Sequence, residues 1–109
     1  MKKLLGMLGL AKRAGKVSTG TFICEKMIKS RAAKLVILAN DASENTAKTI
    51  RDACNSYNVS IIQCSDMSEL GHWVGANADR AVVSVNDNNF AKAISDIYNI
   101  LIQIGRAHV

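Results

Sequence analysis

The sequence predicts an α/β fold: one domain over residues 1–109, a three-layer α/β/α sandwich on a small mixed, largely parallel sheet. Two observations carry that expectation. Runs of strand length rich in branched apolar residues, "KLVILAN" (34–40), "VSIIQC" (59–64) and "RAVVSVN" (80–86), alternate with segments of helical periodicity. The 109 residues contain no proline and no Gly/Ser tract, so nothing in them reads as a linker. At this length folding removes roughly 65% of the surface that the unfolded chain exposes, enough for a sizeable core.

The elements follow in order. Leu4, Leu5, Leu8 and Ala11 recur at helical spacing, with Lys12 and Arg13 in the last turn and Gly15 where a left-handed cap belongs. A brief extended piece over residues 16–18 follows, and Thr19 and Gly20 open a second helix with Cys24 and Ile28, and Ile23 and Met27, paired at i, i+4 and Glu25, Lys26 and Lys29 outside. The run at 34–40, apolar throughout, reads as a strand covered on both faces. "DASEN" starts a third helix, which Asp41 and Glu44 are placed to cap and whose inner side carries Ala47, Ile50, Ala53 or Cys54, and Tyr57. After the strand at 59–64, Ser65 or Asp66 caps a short helix, "SDMSELGHWVG" (65–75), and the strand at 80–86 leads to a last helix from Asp87 to about Ile104. That helix aligns Phe90, Ile94, Ile97, Leu101 and Ile104. Ile100 and Ile102 fall off its core stripe and fit either a weak self-association surface or extra core packing.

The net charge of +5 is unevenly spread. Residues 1–34 hold nine lysines and arginines and one acid, Glu25, whereas residues 35–109 hold five basic residues and eight acids. A positive potential gathered on one part of a surface suits a polyanion. The N-terminal "MKKLLGMLGLAKRAG" imitates a signal peptide, but its apolar run is short and ends in Lys12 and Arg13, not in a cleavage site. No segment reaches the roughly 18 apolar residues that span a bilayer, so the expectation is a cytoplasmic protein without a membrane partner.

Catalytic chemistry finds little to use. Cys24, Cys54 and Cys64 are an odd number without a CxxC pair, and neither His72 nor His108 stands at a zinc-ligand spacing, so no metal or other cofactor is expected. The glycine-rich nucleotide motifs and the serine nucleophile elbow are missing from the sequence. His72 beside Trp73 reads as a surface residue, and no complete catalytic set is visible.

The stretch "KRAGKVSTGTFICEK" (12–26) is different. Gly15 and Gly20 bracket a turn, and the free N–H groups of a helix start attract anions, with Lys16, Lys26 and Lys29 at hand. A helix start that needs glycine only to turn fits the same residues.

In succession, "LGLAKRAGKVSTG", "AAKLVILANDASENTAKTIRDAC", "ELGHWVG" and "RAVVSVND" resemble the L7Ae ribosomal protein family, and within it the small bacterial YlxQ-like branch, over roughly residues 3–95. The resemblance implies an α/β/α sandwich that binds RNA, in many members a kink-turn, a sharply bent duplex with tandem sheared G·A pairs beside a bulge. In the kink-turn binders a Gly-x-Asn-Glu-x-x-Lys motif opens the second helix. This chain reads "GTFICEK" there: Gly20 and Lys26 match, while Phe22 and Ile23 stand where Asn and Glu would be. Those two types read base edges; lysines and helix ends grip phosphates of any sequence. A second family contact, the loop after the "ELG" helix, reads "GANADR" (75–80), with Asp79 unfavourable toward RNA and Arg80 offsetting it.

The reading is therefore a non-enzymatic RNA-binding protein for structured or ribosomal RNA, with ribosome association implied. Its main contact surface is expected to be the basic first third: Lys12, Arg13, Lys16, Gly20, Thr21, Phe22, Lys26 and Lys29, joined by Arg80. Phe22 stacks on a base if it is exposed. The alternative is a protein-interaction module of the same fold that uses the last helix.

Overall fold

The computed structural model describes residues 1–107, with side chains through Ile104. In chain order it contains α1 (Lys2–Arg13), β1 (Val17–Thr19), α2 (Thr21–Lys29), β2 (Leu35–Leu38), α3 (Glu44–Tyr57), β3 (Ser60–Gln63), α4 (Met67–Trp73), β4 (Val82–Val85) and α5 (Asn88–Ala107). The strands form one sheet in the order β1-β4-β2-β3. β2 pairs with β3 in parallel, and β4 lies antiparallel to both β1 and β2.

The α/β class and the mixed sheet hold, but the sheet is not largely parallel. β1, β2 and β3 all run the same way; β4 is inserted against them, so one ladder alone among the described residues is parallel. The cause is the connection before β4. The fourteen residues of α3, about 21 Å of helix, carry the chain back along the sheet, as a parallel crossover requires. The seven-residue α4 does not, and the chain re-enters where it left. There Ala39 donates its N–H to Ala81 (2.9 Å) and Asn40 donates to Ser65 (2.8 Å).

Two edges follow from this register. Val17, Val85, Leu35 and Ser60 form a row at one end, the lower edge; Thr19, Val82, Leu38 and Gln63 bound the other, the upper edge. Because β1, β2 and β3 each run upward, α2, α3 and α4 all begin at the upper edge, and α5 begins at the lower one.

Both faces are covered. On one, Leu4, Leu5 and Leu8 of α1, Leu70 of α4 and Ile94 of α5 pack on Leu35, Ile37, Val83 and Val85. On the other, Cys24 and Ile28 of α2 and Ile50, Ala53 and Cys54 of α3 pack on Val36, Leu38 and Val82. Burial on both sides explains why β2 and β4 read as unbroken apolar runs. The buried exception is Ser84, whose hydroxyl donates to Asn86 Oδ1 at 3.0 Å while Asn86 Nδ2 donates to Ser18 Oγ at 2.9 Å. The three thiols are free and buried, and burial pushes each of them up to about 11.

Several local expectations change. Thr19 ends β1 instead of opening α2. Ser43, not Asp41 or Glu44, caps α3, its Oγ accepting from the Thr46 N–H at 3.2 Å. Asp41 instead reaches α4, where Oδ1 accepts from the Met67 N–H at 2.8 Å, and Asp66 caps that helix through the Glu69 N–H at 2.8 Å. Ile104 leaves the core and is 51% exposed. The 20 residues of α5 extend about 30 Å, against about 13 Å for a four-residue strand, so its second half overhangs the sheet. Among the described residues no helix is long and apolar enough to cross a membrane.

Candidate nucleic-acid interface

The start of α2 is built by glycine. Gly20 is its N-cap at φ 93° and ψ 149°, a conformation closed to most side chains, and a Cβ placed on it would meet nothing within 4 Å. Open space lies in front of the turn. Ser43, Asp66 and Asp87 each give a side-chain oxygen to the first turn of α3, α4 and α5. No side chain caps α2, and no acid stands in its first turn. Its leading N–H groups and positive dipole end therefore face outward unclaimed by any side chain.

Phe22 projects from that turn and is 77% exposed. Exposure of a whole aromatic ring is costly for a side chain without a partner and gives a base a face on which to stack. Ile23 beside it is also exposed. Lys26 and Lys29 follow Phe22 at i+4 and i+7 along the same stripe. Lys29 forms an ion pair with Glu25 at 3.2 Å, which leaves Lys26 as the cation of α2 without an ion-pair partner among the described residues.

Arg80 joins this group from the far side. It stands two residues before β4, donates from Nε to Thr19 Oγ1 at 3.3 Å and from Nη1 to the Asp79 carbonyl at 3.1 Å. The fold thus gathers Gly20, Thr21, Phe22, Lys26 and Arg80, with Lys29 further along α2. Thr19 is the member that sequence reasoning missed; nothing in the sequence signals that its hydroxyl meets a side chain 61 positions away.

Lys12, Arg13 and Lys16 are not part of it. Lys12 and Arg13 are exposed on the last turn of α1, in the layer across the sheet from α2. Lys16 lies at the lower edge, four residues and about 13 Å of extended chain from Gly20. The basic first third is therefore not one surface: the sheet divides it.

The upper edge also carries acids. Asp41, Asp66 and Asp79 occupy its loops, and Glu44 and Glu69 stand in the first turns of α3 and α4. Their signal in the sequence is the acid that follows each of the runs at 34–40 and 59–64. It becomes an electrostatic statement only once the strand directions are known.

His72 is exposed, and its ring meets Trp73 edge to face with centroids 5.9 Å apart. Among the described residues it makes no hydrogen bond that would orient it as a base, and no three His, Cys, Asp or Glu side chains converge as metal ligands. His108 lies outside the described residues.

Comparison with known proteins places the chain in a family. The sequence pattern described as the ribosomal protein L7Ae/L30e/S12e/Gadd45 family matches residues 2–95. The chain is 44% identical over 88 residues to the RNA-binding protein YlxQ of Bacillus subtilis (strain 168), covering 81% of this chain and 87% of that one. It is 36% identical over 96 residues to the RNA-binding protein YlxQ of Enterococcus faecium, covering 88% and 91%. A solved structure of a protein with unknown function from Bacillus halodurans C superposes with a TM-score of 0.85 at 32% identity, over 89% of this chain and 97% of that one.

Proposed function

We propose that this chain, which belongs to the ribosomal protein L7Ae/L30e/S12e/Gadd45 family, is a non-enzymatic RNA-binding protein that takes a folded or ribosomal RNA at the start of α2. The observation that carries the site is the pairing of an uncapped helix start with the exposed ring of Phe22. A phosphate at the helix end is held by N–H groups and Lys26, Gly20 lets the RNA backbone approach, and Phe22 stacks on a base that the bend in the RNA leaves unpaired. Arg80, tied to Thr19, neutralises a second phosphate. Asn and Glu are not at positions 22 and 23 to read base edges, so shape and stacking carry the selectivity. A working place in the cytoplasm, at or near the ribosome, agrees with this reading, and the chain acts as one domain.

The test is a titration against a kink-turn RNA and against the same duplex without its bulge and G·A pairs, each at two salt concentrations. Tighter binding to the bent RNA supports recognition at α2. Equal, salt-steep binding to both makes the protein a general phosphate binder, and no binding to either overturns the reading. Ile100 and Ile104, 56% and 51% exposed on α5, favour weak self-association as a second reading, which light scattering over a concentration series decides.

A further inference from the structure

The lower edge of the sheet carries a row of cations that the site at α2 does not use. Lys16 immediately precedes β1, Lys34 immediately precedes β2, and Asn86 follows β4 between them. Asn86 donates its N–H to the Lys16 carbonyl at 2.8 Å, and the Lys34 N–H donates to the Val85 carbonyl at 2.8 Å. Neighbouring strands lie about 4.8 Å apart, so the two lysines flank Asn86 with backbones about 10 Å from each other. On one side the row continues into Lys12 and Arg13, because Lys16 donates its N–H to the Ala11 carbonyl at 3.0 Å. On the other side Lys34 Nζ donates to the Arg31 carbonyl at 3.0 Å, and the Arg31 guanidinium lies over the Tyr57 ring, 5.7 Å from its centroid.

All five cations are exposed, and among the described residues none of them forms an ion pair. The acid at this edge, Asp87, spends Oδ2 on the Phe90 N–H at 2.9 Å. Helix ends explain part of the row: α1, α2 and α3 all finish here, and their carbonyl ends favour cations such as Lys12 and Arg13. They do not explain Lys16, which immediately precedes β1; Lys34 immediately precedes β2, with its Nζ on the Arg31 carbonyl just past α2.

We infer that the lower edge is a second RNA-backbone site, so that one copy of the chain grips two RNA segments at opposite ends of its sheet. The inference rests on the RNA-binding reading above. Phosphate is the fitting chemistry because exposed cations dominate the row; of the exposed large apolar side chains, Met1, Leu10, Phe22, Ile23, Ile100 and Ile104, Leu10 alone borders it, one turn from Arg13. A protein partner would be met by an apolar or aromatic centre, which a phosphate backbone does not need.

The experiment uses the full chain with a donor-labelled and an acceptor-labelled RNA hairpin, read by energy transfer between them and by the salt dependence of binding. The unaltered chain is expected to bring the two labels together. Arg13→Ala/Lys16→Ala/Lys34→Ala is expected to lose the transfer, to keep binding one hairpin through α2, and to flatten the slope of log K against log salt by about 2 to 3. Lys16→Arg/Lys34→Arg is expected to keep both. If the triple variant melts early, Lys16→Gln with Lys34→Gln replaces it. Unchanged transfer and slope in the variant overturn the inference, as does competition by polyglutamate as effective as that by unlabelled RNA. A chain that binds no RNA at all overturns the RNA reading, and this inference with it.

Discussion

The two edges of the sheet meet solvent with opposite chemistry. The upper edge sets Arg80, an uncapped helix start and a bare aromatic ring among five carboxylates, while the lower edge sets five cations free of ion pairs, with Lys29 and its partner Glu25 at the end of α2, beside Asp87, already engaged by a backbone N–H. Strand direction produces the contrast. Helices that follow upward strands begin above, where acids and small polar residues satisfy N–H groups, and end below, where cations answer carbonyls. The lesson is that a single charge total describes neither edge. The roles proposed for them differ accordingly: selection of an RNA shape above, a grip on any phosphate chain below.

The largest expected effect breaks the upper edge alone. A Cβ on Gly71 would lie 2.3 Å from the Ala78 carbonyl oxygen, so Gly71→Ala must displace the backbone of the loop that carries Arg80. A loss of about 3 kcal/mol or more is expected in urea denaturation, since neither neighbour is a flexible side chain. A loss within 0.5 kcal/mol would show that the loop is not packed as described.

Next comes Phe22→Ala. Removing an exposed ring should leave the melting temperature nearly unchanged and weaken RNA binding by about 1 to 3 kcal/mol, as for other stacked bases. Lost stability without lost affinity would remove Phe22 from the site. A smaller effect is expected from Lys26→Ala/Lys29→Ala, which should weaken binding to all RNAs alike and flatten the salt slope by about 1 to 2. The lower figure applies because Glu25 already half-neutralises Lys29. Full slope in this variant would shift the phosphate contacts away from α2.

The last prediction sharpens the comparison by touching neither edge. Between pH 7 and about 8 stability should stay level, because the buried thiols remain protonated in the folded and the unfolded chain alike. As pH rises from the ordinary value of 9.0 toward about 11, the unfolded chain releases thiol protons that the folded chain retains, and stability falls. Denaturation midpoints across that range check the sign; a rise would mean that the thiols are not buried.

The elements themselves were legible in the sequence, because period and run length report burial directly: Leu4, Leu5 and Leu8, the run at 35–39 and Ile50 all lie where the pattern puts them. The glycine at the head of α2 and the lysine six residues on were legible from turn chemistry and helix-start charge, and the family resemblance matched them to its motif. The direction of β4 was not. An apolar run says that both faces are covered and is silent about which way the strand points. From that one ambiguity came the others. Lys16 looks adjacent to Gly20 in the sequence and stands at the opposite edge, and Arg80 looks remote and touches Thr19. Phe22 was undecided for a different reason: moving the helix start by one or two residues turns its side chain from core to solvent, and helix starts are rarely fixed more finely than that by sequence.

The insertion of β4 between β1 and β2 also orders the events of folding. One of the two interior strands of the sheet, β4, is the last strand to leave the ribosome, and β1 has no neighbour other than β4. Until residues 82–85 are available, β2 and β3 alone can pair, and the three-residue β1 must wait, its Val17 closing a loop to Val85 that encloses most of the chain. Closure over so long a separation is slow relative to helix formation. A ribosome-stalled chain that ends before β4 should therefore present its cationic α1 and α2 as helices without a completed sheet beneath them, and the two edges should come into being together, at the moment the last strand slides in.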